Sequence, residues 1–211
     1  MKLKIIFSVD KTKLAFFAKF FEIEKKCIFE DANKNLIHIE KIWNQKSITI
    51  ENIFLKIFNR TLKDEIKIFI FPEYFYLGAT ETVNQIILFG QPPRTENFSL
   101  AIIVHEIGHI FLSKIKSKKP TIIDEIICFM LEDYMYSFFD KKSLSDVWKE
   151  DELDIFHLNA IRIAINEIKD RGPILDRNLD EIIDTLISRL DRDTLDIRPE
   201  KGLIKNIQKH K

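Results

Sequence analysis

Between Leu100 and Leu112 the chain reads Leu-Ala-Ile-Ile-Val-His-Glu-Ile-Gly-His-Ile-Phe-Leu, and His105, Glu106 and His109 are its only residues that are neither apolar nor glycine. A helix that is apolar all round is buried, so polar groups inside it need partners within the fold. Four positions apart, His105 and His109 share one helix face about one turn apart, where both imidazoles can reach one tetrahedral Zn2+ at about 2.0–2.1 Å. Glu106 projects beside that face, placed to take a proton from water at the metal. The bland alternative is a pair of core histidines bonded to backbone carbonyls. A chain of this composition contains His-Glu-x-x-His by accident about once in a hundred times. Gly108, in mid-helix, costs about 1 kcal/mol relative to Ala, which the close approach of another backbone would explain.

Two imidazoles leave a zinc site half built. After Pro120 and Thr121 the sequence Ile-Ile-Asp-Glu-Ile-Ile-Cys-Phe-Met-Leu is apolar except for Asp124 and Glu125. The positive end of a helix dipole accounts for one acid in the first turn and poorly for two. Glu125 is the preferred third ligand, with Asp124 exposed or supporting it. Glu132 competes, because it shares the helical face of Glu125 seven positions on, but Leu131-Glu132-Asp133-Tyr134 reads as a helix turning towards solvent. Cys128 reads as a buried free thiol that could face the metal. His38 and His157, distant from the motif in sequence, are surface or core histidines by default.

These residues must be positioned by helices and a small sheet. Strands are expected at Leu3–Ser8, Leu36–Ile42, Ile66–Phe71 and Val83–Phe89, and helices at Lys11–Lys26 and Thr49–Leu62. The second half reads as helical. Asp154–Asp170 carries Ile155, Leu158, Ile161, Ile165 and Ile168 on one face and stops at Gly172–Pro173, and Asn178 with Glu181 resembles a capping box opening the next helix. Short strands followed by long helices point to an α+β class rather than alternating βαβ units. The expected organisation is a domain over residues 1–140, holding a small mixed sheet, an active-site helix and a ligand-bearing helix, with a helical extension over 141–211 packed on it.

The 33 basic residues balance the 33 acidic ones, which removes the simplest argument for a nucleic-acid partner. The basic residues near the end, Arg198 to Lys211, read as a solvated tail. Two cysteines in 211 residues make no disulfide framework, and no run of about 18 uncharged apolar residues exists. The reading is therefore a cytoplasmic protein with no membrane span. With 37 Ile against 4 Val, an isoleucine stripe is weak information, and polar residues lodged in apolar runs become the informative ones.

Over about Gly78–Tyr136 the chain resembles the gluzincin branch of HExxH metallopeptidases, in the order strand, turn, His105-Glu106-Ile107-Gly108-His109, linker to Pro120, then Glu125. Pro120-Thr-Ile-Ile-Asp-Glu125-Ile is similar in spacing to the third-ligand segment of small MA-type peptidases, without its Trp and Gly. Glu96-Asn97-Phe98-Ser99-Leu100 looks like the lead-in of ImmA/IrrE-type peptidases, offset by extra residues. The acid that thermolysin-like relatives place four residues after the ligand Glu is here Phe129, so the support for a histidine must come from elsewhere, such as Asp124 or a carbonyl. The resemblance implies a zincin-like fold and a zinc-dependent hydrolysis of peptide or protein substrates, with His105, His109 and Glu125 on the metal and Glu106 as base. It also implies that Val83–Phe89 is an edge for an extended substrate, and that Tyr134, Tyr136 or His157 stabilises the transition state. The rival reading is a non-catalytic or regulatory zinc-binding protein acting through protein–protein contacts, which a fourth protein ligand such as Cys128 would favour.

Overall fold

A computed structural model describes residues 4–20, 22, 24–59, 65–72, 79–82, 85–88, 95–115, 120–149 and 153–199. The described residues form two compact units: one up to Glu51 together with 65–88, the other Asn52–Asn59 and everything from Thr95 onward. Residues on either side of position 140 belong to the same unit.

In the first unit, β1 (Ile5–Ser8) is followed by α1 (Lys11–Phe20) and by the start of α2 (Lys25–Phe58). Asp10 opens α1 by accepting the backbone N–H groups of Thr12 and Lys13, each at 3.0 Å. Three further strands follow, β2 (Ile66–Ile70), β3 (Ala79–Thr82) and β4 (Gln85–Leu88). The sheet order is β1-β2-β4-β3. β1 and β4 both run parallel to β2, while β3 and β4 are antiparallel. The sheet is thus mixed, as expected, and its first parallel pair is joined through two helices. Ile66, Ile68 and Ile70 alternate into the interior. Leu14, Ala18, Ile28, Ala32 and Phe71 make a core cluster, and Asn35 donates to the carbonyl of Phe71 at 2.8 Å.

One expected strand is absent. Leu36–Ile42 lies inside α2, a helix of 34 residues. Ile28, Ala32, Asn35, Ile39 and Trp43 are buried at steps of three and four, whereas Ile37 is 67% exposed. The alternating Leu-Ile-His-Ile looked like a strand because isoleucine is abundant on both faces. The expected helix breaks at Lys26 and Thr49 likewise fall within α2, and the described part of Val83–Phe89 forms β4, Val83 and Phe89 lying outside the described residues.

The second unit is helical: α3 (Phe98–Ser113), α4 (Thr121–Phe139), the short α5 (Leu144–Val147), α6 (Ile155–Arg171), a 3-10 turn at Ile174–Asp176, α7 (Leu179–Arg189) and α8 (Arg192–Asp196). Helix α4 packs on both α3 and α6. Phe111 of α3 stacks on Phe54 with ring centroids 4.9 Å apart. Asn178 caps α7 as its sequence suggested, accepting from the backbone N–H groups of Asp180 and Glu181. The buried side of α6 is Phe156, Ala160, Ile161, Ala164 and Glu167; of the expected stripe Ile161 is buried, Leu158, Ile165 and Ile168 are half-buried, and Ile155 is 67% exposed. The two alanines let α6 come close to its neighbours. Glu167 is neutralised by Arg177 and Arg189. The chain is therefore α+β, with the helical part dominant. Among the described residues no helix is long and apolar enough to cross a membrane.

Candidate metal centre

Helix α3 is buried almost throughout, which follows from its composition: thirteen of its residues are shielded, His105 and Glu106 among them. Its glycine sets the helix spacing. A Cβ at Gly108 would stand 2.9 Å from Leu131 Cδ1 and 3.0 Å from Cys128 Sγ, both on α4. The close approach that the sequence implied is therefore to the helix that carries Glu125.

That approach brings three groups together. His105 Nε2 lies 3.2 Å from His109 Nε2 and 3.2 Å from Glu125 Oε1. His109 Nε2 lies 3.3 Å from Glu125 Oε2. Bonds of about 2.0–2.1 Å at tetrahedral angles would separate donor atoms by about 3.3 Å. Two imidazoles and a carboxylate match the nitrogen and oxygen preference of zinc, and Glu125 meets the two rings through its two different oxygens, so the residues fit such an ion with the carboxylate spanning both rings.

Burial alone would make both imidazoles harder to protonate. The Glu125 carboxylate outweighs it, holding His109 above the ordinary histidine range and, together with Glu132, His105 well above it. Burial pushes the Glu125 carboxyl up, and the two histidines more than reverse this, leaving it well below the usual range.

Glu132 is not in the ligand cluster; it lies behind it. Its Oε2 is 3.0 Å from His105 Nδ1, and since a carboxylate only accepts, Nδ1 carries the proton. Nε2 is thereby turned towards His109 and Glu125. The support for His105 thus comes from Glu132, which is fully buried instead of facing solvent. Asp124 stands in the first turn of α4 and is partly exposed.

Of the three residues considered for the transition state, His157 approaches the cluster. Its Nε2 is 3.7 Å from Glu125 Oε1, and its Nδ1 is held by Asp154 Oδ2 at 2.7 Å. Asp154 also caps α6 through the backbone N–H of His157 at 2.9 Å, so one carboxylate starts the helix and aims the ring. Burial lowers the His157 pKa, but Asp154 and Glu125 leave it raised. The Tyr136 hydroxyl donates to Glu132 Oε1 at 2.8 Å, on the far side of His105. Tyr134, nine positions after Glu125, points to the opposite side of α4, about 180° away, and stacks on Phe138. His38 is exposed on α2.

His105, His109 and Cys128 also form a group with ligand atoms within 4.8 Å of one another. Glu125 approaches His105 through Oε1 at 3.2 Å and His109 through its other oxygen, Oε2, at 3.3 Å. Burial, followed by the surrounding carboxylates, pushes the Cys128 thiol well above its ordinary pKa, which disfavours the thiolate that metals bind.

The chain matches no family model, no curated protein and no solved structure. Sequence reasoning missed Asp154 as a participant and misjudged Glu132. An acid three residues before a histidine at a helix start, and an acid seven residues after a ligand on one helix face, were the available signals.

Proposed function

We propose that the protein is a zinc-dependent peptidase of zincin-like fold, with His105, His109 and Glu125 holding the metal and Glu106 acting as general base. The observation that supports this best is the convergence of two imidazole nitrogens 3.2 Å apart with one carboxylate, whose Oε1 lies 3.2 Å from His105 and whose Oε2 lies 3.3 Å from His109. Bound there, zinc would supply Lewis acidity, polarising a substrate carbonyl and making water a nucleophile near neutral pH. The protein's own groups do the rest. Glu106 is buried on α3 in the turn between the two imidazoles, where a carboxylate can take a proton from the attacking water and hand it to the leaving amine. His157, oriented by Asp154, supplies an N–H towards the oxygen on which negative charge develops.

The test is Glu106→Gln assayed against a mixed peptide pool. Retained zinc with lost cleavage supports the proposal, while equal cleavage by both forms rules out Glu106 as the base. The nearness of Cys128 favours a second reading, a closed structural zinc site in a non-catalytic protein acting through protein contacts. Cys128→Ser separates the two: zinc affinity collapses in a closed four-ligand site and is nearly unchanged in an open one.

A further inference from the structure

Glu132 gathers three donors from three parts of the second unit. Its Oε2 takes His105 Nδ1 at 3.0 Å, and its Oε1 takes both the Tyr136 hydroxyl at 2.8 Å and the Trp148 indole N–H at 2.6 Å. Two donors on one oxygen fix the plane of the carboxylate, because rotating it would strip both at once. The other oxygen is then left for His105. Trp148 follows α5, and α5 is itself fixed to α4 at its start, where the Leu144 N–H donates to the buried Asp133 at 2.8 Å. The neighbouring acids Asp133 and Glu132 thus hold the two ends of α5. Phe98, at the first turn of α3, packs on the Trp148 ring with centroids 5.6 Å apart.

We propose that Trp148 is a positioning residue for the metal centre: with Tyr136 it locks Glu132 Oε1, so that Oε2 holds His105 with Nε2 facing His109 and Glu125. This rests on the zinc reading of the site, and the indole N–H of Trp148 acts on it through Glu132. The arrangement ties the segment after α5 to the metal through one buried carboxylate. Partners that support a ligand in this way are commonly worth ten- to hundredfold in metal affinity.

The experiment is a zinc competition titration against a chromogenic chelator on the wild type, Trp148→Phe, Glu132→Gln and the double variant, with melting of the zinc-free forms recorded alongside. Trp148→Phe is expected to weaken zinc by about tenfold and Glu132→Gln by ten- to hundredfold. The tryptophan effect should shrink below about twofold in the Glu132→Gln background, since residues acting through one another are not additive. Equal losses in both backgrounds, or no loss from Trp148→Phe, would overturn the proposal. Tyr136→Phe removes only a hydroxyl from the same carboxylate oxygen and must show the same background dependence; this keeps the test decisive if Trp148→Phe does not fold. A wild type that binds no zinc overturns the zinc reading and this inference together, a result visible without any variant.

Discussion

Replacing Gly108 by alanine should destabilise the protein, although the same change in an ordinary exposed helix would stabilise it. Helix propensity alone favours alanine by about 1 kcal/mol. Against this, the new Cβ would lie 2.9 Å from Leu131 Cδ1 and 3.0 Å from Cys128 Sγ. Both neighbours are completely buried, so neither can swing into solvent. Relief requires α3 and α4 to move apart by a few tenths of an ångström, and overpacking of this kind costs about 1–3 kcal/mol. The balance is a net loss of about 1 kcal/mol, or about 2–4 °C in melting temperature for a chain of this size. The same movement stretches the 3.3 Å approach of His109 on α3 to Glu125 on α4, so zinc affinity should fall in parallel. Thermal melting by circular dichroism and a zinc competition titration read the two effects. Cys128→Ala removes one of the clashing atoms, and the Gly108→Ala loss should be smaller in that background by about 0.5 kcal/mol or more. A Gly108→Ala protein that melts higher than wild type with unchanged zinc affinity would refute the reasoning.

Three further outcomes follow from the site. Asp154→Asn keeps a good N-cap for α6 but removes the charge that raises the His157 pKa, so the alkaline limb of kcat/KM should move to lower pH with zinc content unchanged; an unmoved limb would remove His157 from the mechanism. The raised pKa values of His105 and His109 stabilise the chelator-treated fold fully below the ordinary histidine value near 6.5, and this is lost as pH rises through the raised values. The depressed pKa of Glu125 stabilises it above the ordinary value near 4.3, and this is lost as pH falls through the depressed one. Zinc needs neutral imidazoles, so the melting-temperature gain from added zinc should grow as pH rises past the ordinary histidine value near 6.5 and through the raised values, and a pH-independent gain would count against the histidine ligands. Glu125→Gln should weaken zinc by more than the ten- to hundredfold of a supporting partner, whereas a near-normal affinity would pass the third position to Glu132 or Cys128.

What could be read from the sequence depended on where the information lay. Helices α3 and α4 were legible because a few charges interrupt long apolar runs, and burial of those charges admits few explanations. The start of α7 at Asn178 was legible from short-range capping chemistry. The long helix α2 was not, because isoleucine occupies its exposed positions as well as its buried ones, as at Ile37 and Ile48, and so blurs the period. Glu132 was misjudged for a different reason. Its neighbours in sequence are polar, but Asp133 is satisfied by the start of α5 and Glu132 by Trp148, partners 11 and 16 residues away that no local pattern announces.

Glu125, Glu132 and Tyr136 lie on one stripe of α4, at steps of seven and four residues. Seven residues return a helix to within about 20° of its starting direction, so the stripe exists only while the count between these residues is kept. A single residue inserted or deleted between Glu125 and Glu132 would turn one carboxylate about 100° away from the other and leave His105 gripped from one side only. The connections between helices face no such arithmetic. Within this helix, then, a change of length is more damaging than almost any change of residue, and divergent chains that share this site are expected to vary in their loops while conserving the length of α4 between Glu125 and Tyr136.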